Sequence, residues 1–397
     1  PRIVIGRDTR RSGSMLASAV AAGVSAEGAD AVLLGVVPTP AVAVVSARDG
    51  VAGVVISASH NPYADNGIKV FAPGGAKLTD AEQAAVESAI AAVLDGAPPV
   101  VSGAEVGSVL TDDGGLDAYA ASVVACLEGR DLGGMRVVVD CANGANSTVA
   151  PEVLRSLGAT VSVLAADPDG TNINRDSGST HPQLLQRAVV DHDAEVGIAF
   201  DGDADRLVAV DHTGALVDGD QIIALCALDL AARGQLANDT VVVTVMSNLG
   251  FHRGMQRAGI RVEETAVGDR NVLEALGAGG HSLGGEQSGH IIFADRSTTG
   301  DGLLAALTLL DLVRRSGRTL ADLAADAMTR LPQVLVNVAV DAPMPDVTDR
   351  IAGSIESVTA VGSIRSVASV GSIASVGSAG SILRIGSAGS VLSFGSA

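Results

Sequence analysis

Arg2-Ile3-Val4-Ile5, a polar loop from Gly6 to Gly13, the alanine-rich stretch from Ser14 to Gly28 and Ala31-Val32-Leu33-Leu34 follow one another at the amino end of the chain. The two apolar runs have the length of buried strands and the stretch between them has the length of a helix, so the order is a βαβ unit. The order returns in Arg136 to Asp140, the turn Ala142-Asn143-Gly144-Ala145-Asn146, a helix near Val149 to Leu157 and a strand from Thr160 to Leu164. It returns again in Thr240 to Val245, a helix near Leu249 to Ala258 and a strand from Arg261 to Thr265. Three α/β blocks of about a hundred residues each predict mixed or mostly parallel sheets covered by helices. Ligands of such sheets bind beyond the carboxyl ends of the strands, which directs attention to the loops there.

Other signals punctuate these blocks. Thr79 and Glu82, three residues apart, read as a capping box that opens a helix running to about Leu94. Pro98-Pro99 and the polar stretch Thr111 to Gly115 bracket the connection out of the first block, and the pattern changes again at Leu331-Pro332, before a strand from Val334 to Val340. From about Gly353 to Ala397 the chain repeats Val-Gly-Ser, Ala-Gly-Ser and Ile-Ala-Ser with almost no charge and no proline. That stretch reads either as a low-complexity tail or as one whose residue identities are unreliable; the second is preferred, because linkers rarely carry so many spaced Val, Ile and Leu. No chemistry is read from it.

The composition narrows the class of partner. Among 397 residues, 45 acidic side chains stand against 26 basic ones, a formal net charge of −19. Nucleic acid and anionic membrane surfaces are therefore excluded as expected partners, whereas a small anion in a locally basic pocket is not. Aromatic residues make up 2% with no Trp, so a site built on stacking is disfavoured and a carbohydrate would be held by hydrogen bonds. Cys126, Cys141 and Cys226 show neither zinc-ligand nor disulfide spacing. Together with the lack of a membrane-length apolar run or an export signal, this predicts a cytoplasmic protein; a start without Met leaves open that residues precede it.

Three loops carry the unusual residues. The strand Val54-Val55-Ile56 runs into Ser57-Ala58-Ser59-His60-Asn61-Pro62, followed by Asp65-Asn66-Gly67-Ile68-Lys69. A serine at a strand end with His and Lys nearby suits a nucleophile whose proton is managed by a neighbour, although serine in a loop is also an ordinary turn former. The strand Val196 to Phe200 ends in Asp201-Gly202-Asp203-Ala204-Asp205-Arg206. Three carboxylates at alternate positions project to one side and repel unless a cation joins them; hard oxygen ligands of this kind suit Mg²⁺. The bland alternative is a solvated acidic turn. The third loop, Gly284-Gly285-Glu286-Gln287-Ser288-Gly289-His290, sets an acceptor and a hydroxyl two residues apart, as vicinal sugar hydroxyls require, unless it is a glycine-rich hairpin without a ligand.

Taken together and in this order, the loops resemble the α-D-phosphohexomutase superfamily from about Arg2 to Thr308. Ser57 to Pro62 is similar to its serine motif, Asp201 to Arg206 to its metal loop and Gly285 to His290 to its sugar loop. The chain is most similar to the bacterial branch that acts on glucosamine phosphates. That likeness rests on Thr171-Asn172-Ile173-Asn174, Gly178 to Pro182, Val217-Asp218-Gly219-Asp220-Gln221, Val245 to Gly250, Val267-Gly268-Asp269-Arg270 and Thr298 to Gly302.

The resemblance implies an α/β fold of three successive mixed-sheet domains, here 1–113, 114–213 and 214–332, with a smaller α+β phosphate-binding domain at 333–397, around a central cleft. It implies interconversion of glucosamine 6-phosphate and glucosamine 1-phosphate for cell-wall precursor synthesis. The expected route passes through a phosphoserine at Ser59 and glucosamine 1,6-bisphosphate, with that or a similar sugar bisphosphate as activator. Asp201, Asp203, Asp205 and an oxygen of phosphorylated Ser59 are the expected Mg²⁺ ligands. Lys69 matches the general acid/base position and His60 is a second candidate. Glu286 and Ser288 are expected on O3 and O4, and Arg7, Arg206, Asp269, Arg270 and His290 complete the substrate set. The family also suggests a homodimer.

Two departures stand out. The amino-terminal loop of Gly-Thr-Asp-Gly-Val-Arg-Gly type is not found, in keeping with a chain that starts late. Ile382-Leu383-Arg384-Ile385-Gly386-Ser387 stands about where the family has an Arg-Pro-Ser-Gly-Thr-Glu type phosphate loop, which weakens the expected grip on the distal phosphate. A mutase preferring glucose or mannose phosphates, a catalytically silent sugar-phosphate binder, and a phosphatase with Asp201 as nucleophile and Asp203 as acid/base remain alternative readings.

Overall fold

A computed structural model describes residues 1–96 and 101–333, together with strands between 336 and 394. The described residues fall into two compact units. One comprises Pro1–Asp218 with Ser288–Leu323, the other Gly219–Gln287 with the residues from Ala324 onward.

The first unit holds two mixed sheets. Its opening block runs β1 (Arg2–Arg7), α1 (Gly13–Ala26), β2 (Asp30–Val36), α2 (Thr39–Asp49), β3 (Ala52–Ile56), β4 (Ile68–Phe71), α3 (Asp80–Asp95) and β5 (Val109–Thr111). The strands lie in the order β4-β3-β1-β2-β5, all parallel except β4, which returns antiparallel to β3 and sets Lys69 opposite Val55. On α1, Ala17 and Ala21 lie one turn apart and bury against Ile5, Ala31, Val54 and Ile56, each small methyl letting the helix approach the sheet. Gly6 serves the same end on the other face. A Cβ there would run into Val42 Cγ2 and stand 2.6 Å from Val37 Cγ2, so only glycine lets α2 lie this close to β1. The capping box at α3 forms as its spacing predicts, with Thr79 N–H donating to Glu82 Oε2 at 2.8 Å and the Thr79 hydroxyl accepting from Glu82 N–H.

The second block runs α4 (Gly115–Val124), β6 (Arg136–Asp140), α5 (Val149–Ser156), β7 (Thr160–Leu164), α6 (Gln183–Asp191), β8 (Val196–Phe200), β9 (Leu207–Asp211) and β10 (Leu216–Val217). Its sheet order is β10-β9-β8-β6-β7, parallel through β7, β6 and β8 and antiparallel beyond. Leu185, Ala188 and Val189 of α6 pack on Val138, Ala199, Val208 and Val210 of the sheet. Each such buried Leu or Val side chain contributes about 1.5–3 kcal/mol relative to exposure.

In the third block, α7 (Gly219–Ala232), β11 (Thr240–Thr244), α8 (Leu249–Arg257), β12 (Arg261–Thr265), α9 (Asp269–Gly279) and β13 (Leu283–Gly285) belong to the second unit, where β12, β11 and β13 run parallel. The chain then re-enters the first unit with β14 (Ile291–Phe293) and α10 (Gly302–Ser316), ahead of α11 (Leu320–Ala327). Every residue of α10 from Gly302 to Val313 is buried, and the helix packs on β8, β9 and α4. Asp301 caps it, accepting from Leu304 N–H at 3.0 Å and from the hydroxyl of buried Tyr119 at 2.8 Å. The compact units thus divide the 214–332 stretch, because α10 completes the core of the sheet that carries the aspartates.

After Gln333 the described residues are strands: β15 (Val336–Ala339), β16 (Arg365–Ala368), β17 (Ile373–Ser378), β18 (Ser381–Gly386) and β19 (Val391–Phe394). β15 pairs antiparallel with β19, and β16, β17 and β18 form an antiparallel meander. The ends of the strand expected from Val334 to Val340, any helix of the α+β region and Ser387 lie outside the described residues. Among the described residues no helix is long and apolar enough to cross a membrane, and the three cysteines are buried and free.

Candidate active site

Asp8, Ser57 and Asp201 follow the carboxyl ends of β1, β3 and β8, so three parallel strands of the first unit deliver their loops to one place. The Ser59 hydroxyl donates to Asp201 Oδ2 at 2.5 Å. Ser59 itself has φ 49°, a left-handed conformation that a non-glycine residue adopts only when its surroundings hold it. Those surroundings are a buried polar frame. Ser59 N–H donates to Ser57 Oγ at 2.9 Å, and Ser57 Oγ donates to Asp8 Oδ2 at 2.6 Å. Asp8 is paired with Arg10, and both side chains are 0% exposed. Arg10 Nη2 donates to the carbonyls of Ser59 and Asn61 at 3.2 and 2.5 Å. From the second block, Asn174 Nδ2 donates to the same two carbonyls at 2.8 and 3.0 Å.

The aspartate loop is shaped for close approach. A Cβ on Gly202 would stand 2.7 Å from Ser59 O and 2.7 Å from Ile173 Cδ1, and Ala204 turns the chain at φ 60°. Asp201, Asp203 and Asp205, all buried, each offer a carboxylate oxygen within 4.8 Å of the others. Lys69 Nζ donates to Asp203 Oδ2 at 2.7 Å and to Asp205 Oδ2 at 3.0 Å. Thr39 Oγ1 donates to Asp203 Oδ2 at 2.5 Å, while Thr39 N–H holds the Asp203 carbonyl at 2.9 Å. His290, 2% exposed, has Nδ1 3.7 Å from Asp205 Oδ1, and its Nε2 accepts from Gly300 N–H at 3.2 Å. Arg206 Nε lies 3.9 Å from Asp205 Oδ1.

The electrostatics split the three carboxyls. Burial, then the charges of Asp205 and Asp203, push Asp201 well above the ordinary carboxyl range. Burial acts the same way on Asp205, but Lys69, His290 and Arg206 reverse it and hold Asp205 well below that range. Burial pulls Lys69 down, yet the charges of Asp203 and Asp205 prevail and keep it a firmly held ammonium. Burial and then Arg206 lower His60, favouring neutral imidazole.

Asp203 Oδ1 and Asp205 Oδ1 are buried with no hydrogen-bond partner among the described residues. Buried carboxylate oxygens left without a hydrogen bond are costly and are what a hard divalent cation binds, so the donor set fits a metal ion.

Of the expected site residues, Ser59, Lys69, Asp201, Asp203, Asp205, Arg206 and His290 form this one cluster. Arg7 donates to the Asp8 carbonyl at 3.1 Å, and Ser288 is exposed in the loop before β14. In the second unit, Glu286 Oε1 accepts from Gly268 N–H at 3.0 Å, next to Asp269 and Arg270 in the first turn of α9. In that unit Asn248 caps α8, takes Asp220 as acceptor of its N–H at 2.6 Å and donates to the Leu331 carbonyl at 2.8 Å. Thr39, which stands between Pro38 and Pro40, carries no motif that marks it for this role, and no sequence signal marks Arg10 or Asn174 as holding Ser59.

The chain also matches known domains in register with these blocks. Residues 1–95, 117–214 and 218–331 match α/β/α domains I, II and III of the phosphoglucomutase/phosphomannomutase family. The chain belongs to that family. A protein of Frankia alni named phosphoglucosamine mutase is 57% identical over 362 residues, covering 91% of this chain and 78% of that one. One of the same name from Frankia casuarinae is 56% identical over 357 residues, covering 89% and 77%. Among solved structures, a phosphoglucomutase/phosphomannomutase family protein from Burkholderia thailandensis superposes with a TM-score of 0.79 at 25% identity, covering 99% of this chain and 84% of that one.

Proposed function

We infer that this family member is a phosphohexomutase interconverting glucosamine 6-phosphate and glucosamine 1-phosphate, with Ser59 as the phosphoryl carrier. The observation that carries the chemistry is the Ser59 hydroxyl on Asp201, in a held backbone conformation beside three clustered carboxylates. The choice of sugar rests on relatives above 50% identity that share one name. Asp201, Asp203, Asp205 and phosphorylated Ser59 would hold Mg²⁺, which when bound offsets the charge of the moving phosphoryl group.

Ser59, carried as phosphoserine, gives its phosphoryl group to sugar O1: a P–O1 bond forms as P–Oγ breaks, and the O1 proton passes to a base. The bisphosphate then returns its C6 phosphoryl group to Ser59 Oγ, with a proton restored to O6. His60, neutral, and Lys69 are the acid/base residues. Arg7 and Arg206 bind phosphate; Glu286 and Ser288 bind the hydroxyls, with Asp269, Arg270 and His290 completing the substrate set. The boundaries at 113, 213 and 332 belong to the same reading.

Turnover of glucosamine 6-phosphate against glucose 6-phosphate on the full chain tests the sugar; a loss by glucosamine of about tenfold or more would refute it. Ser59→Ala should abolish turnover and the phosphate seen by intact mass. Full activity in that variant would instead favour Asp201 as the nucleophile.

A further inference from the structure

The ammonium of Lys69 and the ion inferred above are drawn to the same two carboxylates, Asp203 and Asp205. Lys69 Nζ lies within hydrogen-bond distance of both Asp203 Oδ2 and Asp205 Oδ2. The three carboxylates converge within 4.8 Å. A divalent cation bound there would sit close to a positive charge that has the same partners, and like charges at such range repel strongly where water is scarce.

We propose that Lys69 and the divalent cation exclude one another on Asp203 and Asp205, so that Lys69 sets the metal affinity of the site and is freed toward the substrate side when the ion binds. The proposal rests on the metal reading of the aspartate loop. Three observations support it. First, Lys69 has a way out: its side chain is 28% exposed, and it stands on β4, the edge strand of its sheet. Second, Asp203 does not depend on Lys69 for its orientation, because Thr39 holds both its carboxylate and its carbonyl. Third, the chain holds only two lysines, Lys69 and Lys77, yet places one here. A flexible, strongly hydrated ammonium can leave a carboxylate pair more readily than the rigid fork of an arginine. The same departure would make Lys69 available for acid/base work.

The test is Mg²⁺ titration by calorimetry on chelator-treated full-length chain, in the parent, Lys69→Met, Lys69→Gln and Lys69→Arg. The two neutral variants should bind Mg²⁺ about tenfold tighter or more, and Lys69→Arg no tighter than the parent. Equal or weaker binding by both neutral variants would overturn the proposal while leaving the metal reading intact; no binding by any chain would remove the metal reading and the proposal together. A second measurement needs no variant. Labelling of the parent with an amine-reactive acetyl ester, read by mass spectrometry, should rise about threefold or more at Lys69 on adding Mg²⁺ while Lys77 stays constant. An unchanged Lys69 signal with Mg²⁺ shown to be bound would contradict the proposal.

Discussion

Arg10→Met removes the cationic half of an ion pair whose side chains are both 0% exposed. The partner carboxylate of Asp8 keeps the Ser57 hydroxyl at 2.6 Å and the Arg10 backbone N–H at 2.8 Å as donors but loses its only buried counter-charge among the described residues. The carbonyls of Ser59 and Asn61 are not orphaned, because Asn174 Nδ2 still reaches both. The cost is therefore dominated by the uncompensated charge, about 3–5 kcal/mol for removing one partner of a buried pair. At about 2–4 °C per kcal/mol for a unit of this size, the midpoint of thermal unfolding should fall by about 6–20 °C. Far-UV circular dichroism of the full chain measures it. The double variant Asp8→Asn/Arg10→Met removes both charges of the pair and should recover at least half of the loss, as replacing both partners does elsewhere. A fall of less than about 2 °C in the single variant, or a double variant less stable than the single, would show that the pair does not carry the loop in the way argued.

Asp301 offers a pH prediction. Burial pushes its carboxyl up to about 6, so the folded chain holds this proton more tightly than the unfolded one. The contribution is most favourable below about pH 4 and is lost as pH rises through about 6. Asp301→Asn does not titrate and still accepts from Tyr119 and Leu304. Its stability relative to the parent should therefore rise by about 2.4 kcal/mol between about pH 4 and pH 7, read from urea midpoints; a flat or falling difference contradicts the argument. Gly202→Ala drives a Cβ into the Ser59 carbonyl and should cost about 1–3 kcal/mol with loss of phosphate on Ser59 by intact mass; a variant with parental melting and full phosphate would show that the contact yields freely. Thr39→Val strips Asp203 of a charge-assisted hydrogen bond and should cost about 1.5–3 kcal/mol in denaturant titration, whereas a neutral result would make that hydroxyl dispensable.

How far the sequence was legible depended on how each segment meets water. The limits of β6, β7, β8 and β12 coincide with those read from the sequence, because each is a short run with clear breakers on both sides. Seven helices, α2, α4, α6, α7, α9, α10 and α11, are not marked in the sequence reading, and α2 and α10 show why. In α2 the residues from Thr39 to Ala43 are all buried, and in α10 those from Gly302 to Val313 are, so neither shows a polar face to reveal a 3.6-residue period. At the site, spacing alone exposed Asp201, Asp203 and Asp205. Thr39 and Asn174 were illegible as partners because they reach their targets from 164 and 115 residues away. Their chemistry is ordinary until the fold supplies the neighbour.

The late arrival of α10 has a consequence for synthesis. The first unit is discontinuous in sequence, and its buried helix is translated only after residues 219–287 have been made. A nascent chain ending near Asp218 already carries Ser59, Lys69 and all three aspartates, but β8, β9 and α4 still lack the helix that covers them, and Tyr119 still lacks the carboxylate it donates to. The ribosome therefore releases the parts of the proposed phosphoryl-transfer site well before it releases the interior that holds them, and early truncation yields those residues without a finished fold.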